Sequence, residues 1–275
     1  MPMNNPLPPH RHSVLSVLNR SVLIDVFKYL VVVAALLWFM LNGTRHLGYN
    51  WQWYRVPQYI IASTNSQTVP GPLVQGLMIT IRITAISLIL AFIFGLTSAL
   101  MRLSRSFLAR AIARGYLEII RNTPLLVQLF FIYFVLSPIL NISGFASAVL
   151  ALSLFEGAYA SEIFRAGIVS IHREQWEAAF SIGLNIYQTY RLIILPQALR
   201  RILPPLTSQA VSLVKDSALV STIAIYDITM RGQTIIAETF MVFEIWFTVA
   251  AIYLIMTLTL SAAVFYMEKR FKIET

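Results

Sequence analysis

No charged residue occurs between Arg121 and Glu156. Those 34 residues, 122–155, would make a helix of roughly 50 Å at the ~1.5 Å rise of an α-helix, against a hydrocarbon core of about 30 Å. The run is too long for one membrane crossing and slightly short for two. Pro138, Asn141, Ser143 and Gly144 supply a turn in its middle. It therefore predicts two spans, 123–140 and 145–168, the second carrying Glu156, Glu162 and Arg165 at or near its inner end. Composition agrees: 57% of the 275 residues are hydrophobic and only 12% charged, about half the ~25% of a soluble domain. A soluble enzyme or binding domain could not hide that apolar surface. The absence of Cys removes disulfides, thiolate metal sites and Cys nucleophiles.

Four more spans follow from the same reasoning. The first is 22–41, with Lys28 near its start and able to snorkel to the headgroups. The second is the 19 uncharged residues between Arg82 and Arg102. The fifth starts near Leu199 and is expected to be broken by Pro204, Pro205, Lys215 and Asp216, with a short re-entrant helix near 218–226. The last is 243–267, ending at Glu268, Lys269, Arg270 and Lys272. The expected organisation is a disordered tail at 1–21, an N-terminal transmembrane helix at 22–42, an aromatic interfacial loop at 43–72 (Tyr49, Trp51, Trp53, Tyr54, Tyr59) and a transmembrane domain at 73–272. No cleavable signal peptide is read in the tail, because its apolar run comes late and no small-residue cleavage site follows. The fold class is all-α: a polytopic membrane protein of about six transmembrane helices.

The net charge of +9 sorts by topology. With both termini cytoplasmic, 16 of the 21 Lys and Arg residues fall on the inner side. That pattern argues against a nucleic-acid surface, which needs a solvated basic face.

Between spans four and five, residues 174–196 are too polar to cross a membrane. Trp176, Ala179, Phe180, Gly183 and Leu184 recur at helical spacing, which suits a short amphipathic helix at the cytoplasmic surface. Periodicity alone fits a plain interfacial connector equally well. The residues carry more. Glu177-Ala178-Ala179, then Gly183, Ile193 and Leu195-Pro196, resemble the EAA–G–I-x-LP signature of the permease subunits of binding-protein-dependent ABC importers. Arg121-Asn122-Thr123-Pro124-Leu125-Leu126-Val127-Gln128 and Gly157-Ala158-Tyr159-Ala160-Ser161-Glu162-Ile163-Phe164-Arg165 resemble stretches of the polar amino-acid branch, of histidine and glutamine type. So do 195–200 and Lys215-Asp216-Ser217-Ala218-Leu219. Asn122 stands where that branch usually has Gly, and residues 1–70 lie outside its five-span core.

The resemblance implies a coupling helix that docks into an ATPase subunit. Small Ala178 and Gly183 would admit close backbone approach, and Glu177 would cap or pair across the interface. It further implies two ATPase subunits carrying ATP and Mg, a second permease of the same or a related chain, an extracytoplasmic binding protein, and a small polar amino acid as cargo across the cytoplasmic (inner) membrane.

The chain carries no catalytic pattern of its own. No Gly is followed by Lys, so there is no Walker A loop. There is no His-Glu-x-x-His or Gly-x-Ser-x-Gly, and His10, His12, His46 and His172 are scattered. No metal or cofactor is expected on this chain, with membrane lipid as its surroundings. The substrate-path candidates are Glu156, Glu162 and Gln128. Glu156 leads, because an ionisable group at mid-span marks a functional site by default and a carboxylate suits a cationic group. Glu162 and Arg165 are expected to pair at i, i+3, Lys215 and Asp216 to gate or pack, and Arg121 to cap helix ends. The competing class is a six-span secondary transporter or channel that needs no ATPase, for which internal repeats would be expected.

Overall fold

A computed structural model describes residues 14–46, 49–64 and 67–271. Residues 1–13 of the expected tail, and Lys272 with the rest of the C-terminus, lie outside that set. The chain divides into two units, 1–51 and 52–275. The first is the helix α1, Val14–His46, which contains the run expected to cross first. It starts within the expected tail, and Lys28 sits 3.7 Å from Asp25 one turn away.

The second unit opens with a short 3₁₀ turn, Trp53–Arg55, the helix α2, Pro57–Ile60, and a two-stranded antiparallel hairpin, β1 (Ile61–Thr64) on β2 (Gln67–Pro70), with Ile61 opposite Pro70. The stretch read as a loop is thus partly ordered. Helices α3 (Pro72–Leu103), α4 (Phe107–Arg121) and α5 (Leu125–Phe130) follow. A π-helical stretch, Phe131–Leu136, joins α5 to α6 (Ser137–Leu140). Next come α7 (Gly144–Val169), α8 (Arg173–Ser181) and α9 (Ile186–Thr189). Then α10 (Leu195–Asp216) leads through a 3₁₀ segment, Ser217–Ile223, to α11 (Ile228–Thr239) and α12 (Val242–Phe271).

Among the described residues α3, α7 and α12 are each long and apolar enough to cross a membrane. A fourth candidate is the pair 107–121 and 125–140, bent by 106° at the break. Contacts fix the relative directions. α3 and α7 run parallel: Ser87 donates to Val149 O at 3.4 Å, and Arg102 meets Glu162 at 2.5 Å. Parallel neighbours require the chain to return between them, which 125–140 does. α10 runs antiparallel to α7, because Ile202 packs at Gly167 while Thr207 and Gln209 share a cavity with Glu156.

The α3–α7 seam is built from small residues. A Cβ on Gly95 would sit 2.7 Å from Ala160 Cβ and 3.0 Å from Gly157 O. Lipid tails are as apolar as side chains, so helices associate through such close packing rather than through a hydrophobic drive.

Three apolar clusters stack along the bundle. One joins Val56, Leu73, Ile228, Met241 and Ile245. The central one joins Ile83, Leu129, Leu152, Leu213 and Val220, and the third, at the opposite end, Ala99, Phe164, Ile194, Ala198 and Ile202.

The fifth span differs from expectation. α10 is continuous through Pro204 and Pro205. Prolines remove two intrahelical donors, but helices packed in a bundle tolerate the loss when nearby groups take up the freed backbone. The carbonyls that Pro204 and Pro205 leave free belong to Arg200 and Arg201, both exposed residues, while Ile202 packs against α7. The break falls instead at Lys215 and Asp216, the later two of the four expected positions. The expected re-entrant helix is a buried 3₁₀ segment that ends on Ala224 at φ 59°.

Candidate functional site

Three groups of residues carry the functional expectations. The first is the segment between α7 and α10. Helix α8 buries Ala179 and half-buries Trp176, which packs on the Phe164–Ile194 cluster and meets Tyr190 edge-on at 4.9 Å. Gln197 on α10 donates to Gln175 at 3.1 Å. Asn185 and Gln188 form a reciprocal capping box at α9. The segment is therefore tied to the C-terminal end of α7 and the N-terminal end of α10.

Gly183 ends α8 at φ +84°. Leu184 N donates to Ala179 O at 3.1 Å and Gly183 N to Phe180 O at 3.0 Å, the paired bonds of a Schellman motif. Nothing lies within 4 Å of a Cβ placed there. Within the chain, the reason for glycine is its backbone conformation and not crowding. Glu177 accepts from Arg173 on its own helix at 2.9 Å. Glu177, Ala178, Gly183, Leu195 and Pro196 are exposed, Ile193 is half-buried and Ala179 is buried. Phe180, Ile182, Ile186 and Tyr187 add an exposed apolar surface that the motif did not reveal.

The second group surrounds Glu162. Its carboxylate takes Arg102 of α3 at 2.5 Å, Arg165 of its own helix at 3.2 Å and Arg121 of α4 at 3.4 Å. The expected i, i+3 pair is one limb of this larger node. Arg121 is the last residue of α4, where its charge complements the helix end. It pairs with Glu162 and lies over the Tyr159 ring at 5.6 Å. The node joins three elements on one anion, as charge-assisted bonds permit.

The third group is Glu156. It is 3% exposed on α7, and neither carboxylate oxygen meets a hydrogen-bond donor among the described residues. It lines a cavity of about 170 Å³ with Leu88 and Phe92 of α3 and Leu206, Thr207 and Gln209 of α10. Gln209 and Thr207 are polar groups the sequence did not single out.

Gln128 lies elsewhere. Its amide donates to Ile120 O at 2.7 Å and to Thr123 O and Oγ1 at 3.0 and 2.8 Å, bracketing the bend between α4 and α5. The three substrate-path candidates thus occupy three separate places. Among the described residues no group of His, Asp and Glu side chains is arranged to hold a metal.

Residues 91–273 match the family described as binding-protein-dependent transport system inner membrane component. The chain belongs to that family. It is 40% identical over 204 residues to the glutamine transport system permease protein GlnP of Escherichia coli strain K12, covering 73% of this chain and 93% of that one. It is 39% identical over 221 residues to the L-cystine transport system permease protein TcyB of Bacillus subtilis strain 168, covering 76% and 94%. A crystal structure of an amino acid ABC transporter with histidines superposes with a TM-score of 0.68 at 37% identity, covering 72% of this chain and 94% of that one. The inward-facing MetNI methionine ABC transporter shares the fold at 21% identity, with a TM-score of 0.61 over 73% and 96% of the two chains. This chain is accordingly an inner-membrane permease component, and ATP hydrolysis is not its own task.

Proposed function

We propose that this chain forms the path of an ATP-driven importer for polar amino acids. The observation that carries the reading is the tie between the largely exposed 173–196 segment and the ends of α7 and α10, two of the three helices that line the Glu156 cavity. A push on that segment reaches two walls of the cavity. Two ATPase subunits with bound ATP and Mg would dock on the Glu177–Gly183 surface of two permease chains, and a binding protein would deliver cargo from outside. Both termini lie on the cytoplasmic side. Alternating access is then a two-state equilibrium biased by nucleotide and cargo. In this reading a transmembrane helix at 22–42 and an outer segment at 43–72 precede the transporter domain.

Within the path, the unpaired carboxylate of Glu156 receives the cargo's ammonium group, with Gln209 and Thr207 as neighbouring polar contacts. A buried carboxylate without a partner costs free energy that a cationic ligand offsets. The test is Glu156→Gln and Glu156→Asp in the assembled transporter. Gln is expected to raise the half-saturation concentration for cargo by about tenfold, one lost charge-assisted contact, with membrane insertion unchanged. Unaltered uptake by Glu156→Gln would remove Glu156 from the path.

A further inference from the structure

A second polar cleft lies away from the Glu156 cavity. It occupies about 330 Å³ where the inner ends of α3, α4 and α7 meet, lined by Arg102, Arg114, Glu118, Arg121, Asn122 and Glu162 among others. Both carboxylates are already engaged. Glu162 holds three guanidinium groups, and Glu118 accepts from Asn122 Nδ2 at 2.9 Å. Arg114 is exposed and makes no ion pair among the described residues. Three Arg side chains against two Glu leave the lining with one surplus positive charge, the complement of a phosphodiester.

Helix α4 supplies an independent argument. Leu108, Ile112 and Ile119 form a stripe on a different side from Arg114 and Arg121, and are 67%, 55% and 67% exposed. The helix turns by 106° from the apolar 125–140 segment. With 125–140 crossing the bilayer, α4 lies along the inner interface. Its apolar stripe is then in the acyl region and its arginines at headgroup depth, the disposition of an interfacial amphipathic helix.

We propose that this cleft binds the phosphodiester headgroup of an anionic phospholipid of the inner leaflet, with Arg114 as the principal contact. With that stripe holding α4 in the interface, the arginines of the cleft lie at the depth of the lipid headgroups, which favours a lipid over a free anion. Basic side chains at that depth attract anionic lipid through the leaflet's surface potential. The site depends on neither cargo nor ATPase, so it goes beyond the transport reading.

The experiment is native mass spectrometry of the detergent-purified full-length chain titrated with phosphatidylglycerol and with phosphatidylcholine. The expected result is preferential retention of phosphatidylglycerol. Arg114→Gln should weaken that retention about fivefold, the effect of one Arg near an anionic headgroup. Arg114→Lys should keep most of it, and Arg200→Gln, an equal charge loss elsewhere, should leave it unchanged. Equal retention of both lipids, or equal losses in Arg114→Gln and Arg200→Gln, would overturn the proposal. Displacement of phosphatidylglycerol by inorganic phosphate would also overturn it, because the ligand would then be a free anion.

Discussion

Arg102, the penultimate residue of α3, lies 2.5 Å from the carboxylate of Glu162, 60 residues away on α7. The same carboxylate holds Arg165 and Arg121, so one anion joins the inner ends of three elements. Glu162→Gln leaves three guanidinium groups clustered without their counter-charge. The side chain is 28% exposed, so water screens part of the effect. A loss of about 2 kcal/mol is expected, read as faster thermal inactivation in detergent. Glu162→Asp should lose less. An unchanged inactivation curve for Glu162→Gln would show that the node contributes nothing to holding the helices.

The α3–α7 seam predicts a contrast between two glycines. Gly95 has Ala160 Cβ, Gly157 O and Ser161 N within 2.7–3.1 Å of a built Cβ, mostly backbone that cannot yield. Gly95→Val should cost about 3 kcal/mol through overpacking and reduce the folded protein recovered from membranes. Gly115 on α4 has nothing within 4 Å. Gly115→Ala should be neutral or gain about 0.5 kcal/mol. Similar yields from the two variants would contradict close packing at the seam.

Gly183 sits at φ +84° in open space. Conformation, and not crowding within the chain, therefore sets the order of substitutions. Gly183→Ala should cost about 1 kcal/mol, because L-residues resist the left-handed region, and Gly183→Asn should cost less. Measured as cargo-stimulated ATPase activity of the assembled transporter, Asn should retain more coupling than Ala. The reverse order would mean that a partner surface, and not the helix cap, selects glycine.

Much of this architecture is legible from charge spacing. Arg82, Arg102, Arg121 and Glu156 bracket the apolar runs, and α3 and α7 follow them with longer ends. Helix α3 begins at Pro72, ten residues before Arg82, because a helix can extend past the hydrocarbon core. The α10 prolines mislead, since a local rule about missing donors is overridden by bundle packing. The Glu162 node was half legible: the i, i+3 pair is local, but Arg102 and Arg121 arrive through tertiary contact. The motif at 177–196 marked the segment but not its anchors. Trp176 on Tyr190 and Gln197 on Gln175 are set by how α8 folds back on α10.

The central claim is that the chain forms an ATP-driven import path coupled through 173–196. It is tested most directly by uptake of labelled polar amino acids into proteoliposomes holding the permease with its ATPase. Binding protein is supplied outside, and ATP is enclosed or omitted. The account predicts uptake only with both ATP and binding protein, and its loss when Gly183→Trp disrupts the segment while the permease still inserts. Uptake that proceeds without ATP, or that survives Gly183→Trp undiminished, would contradict it.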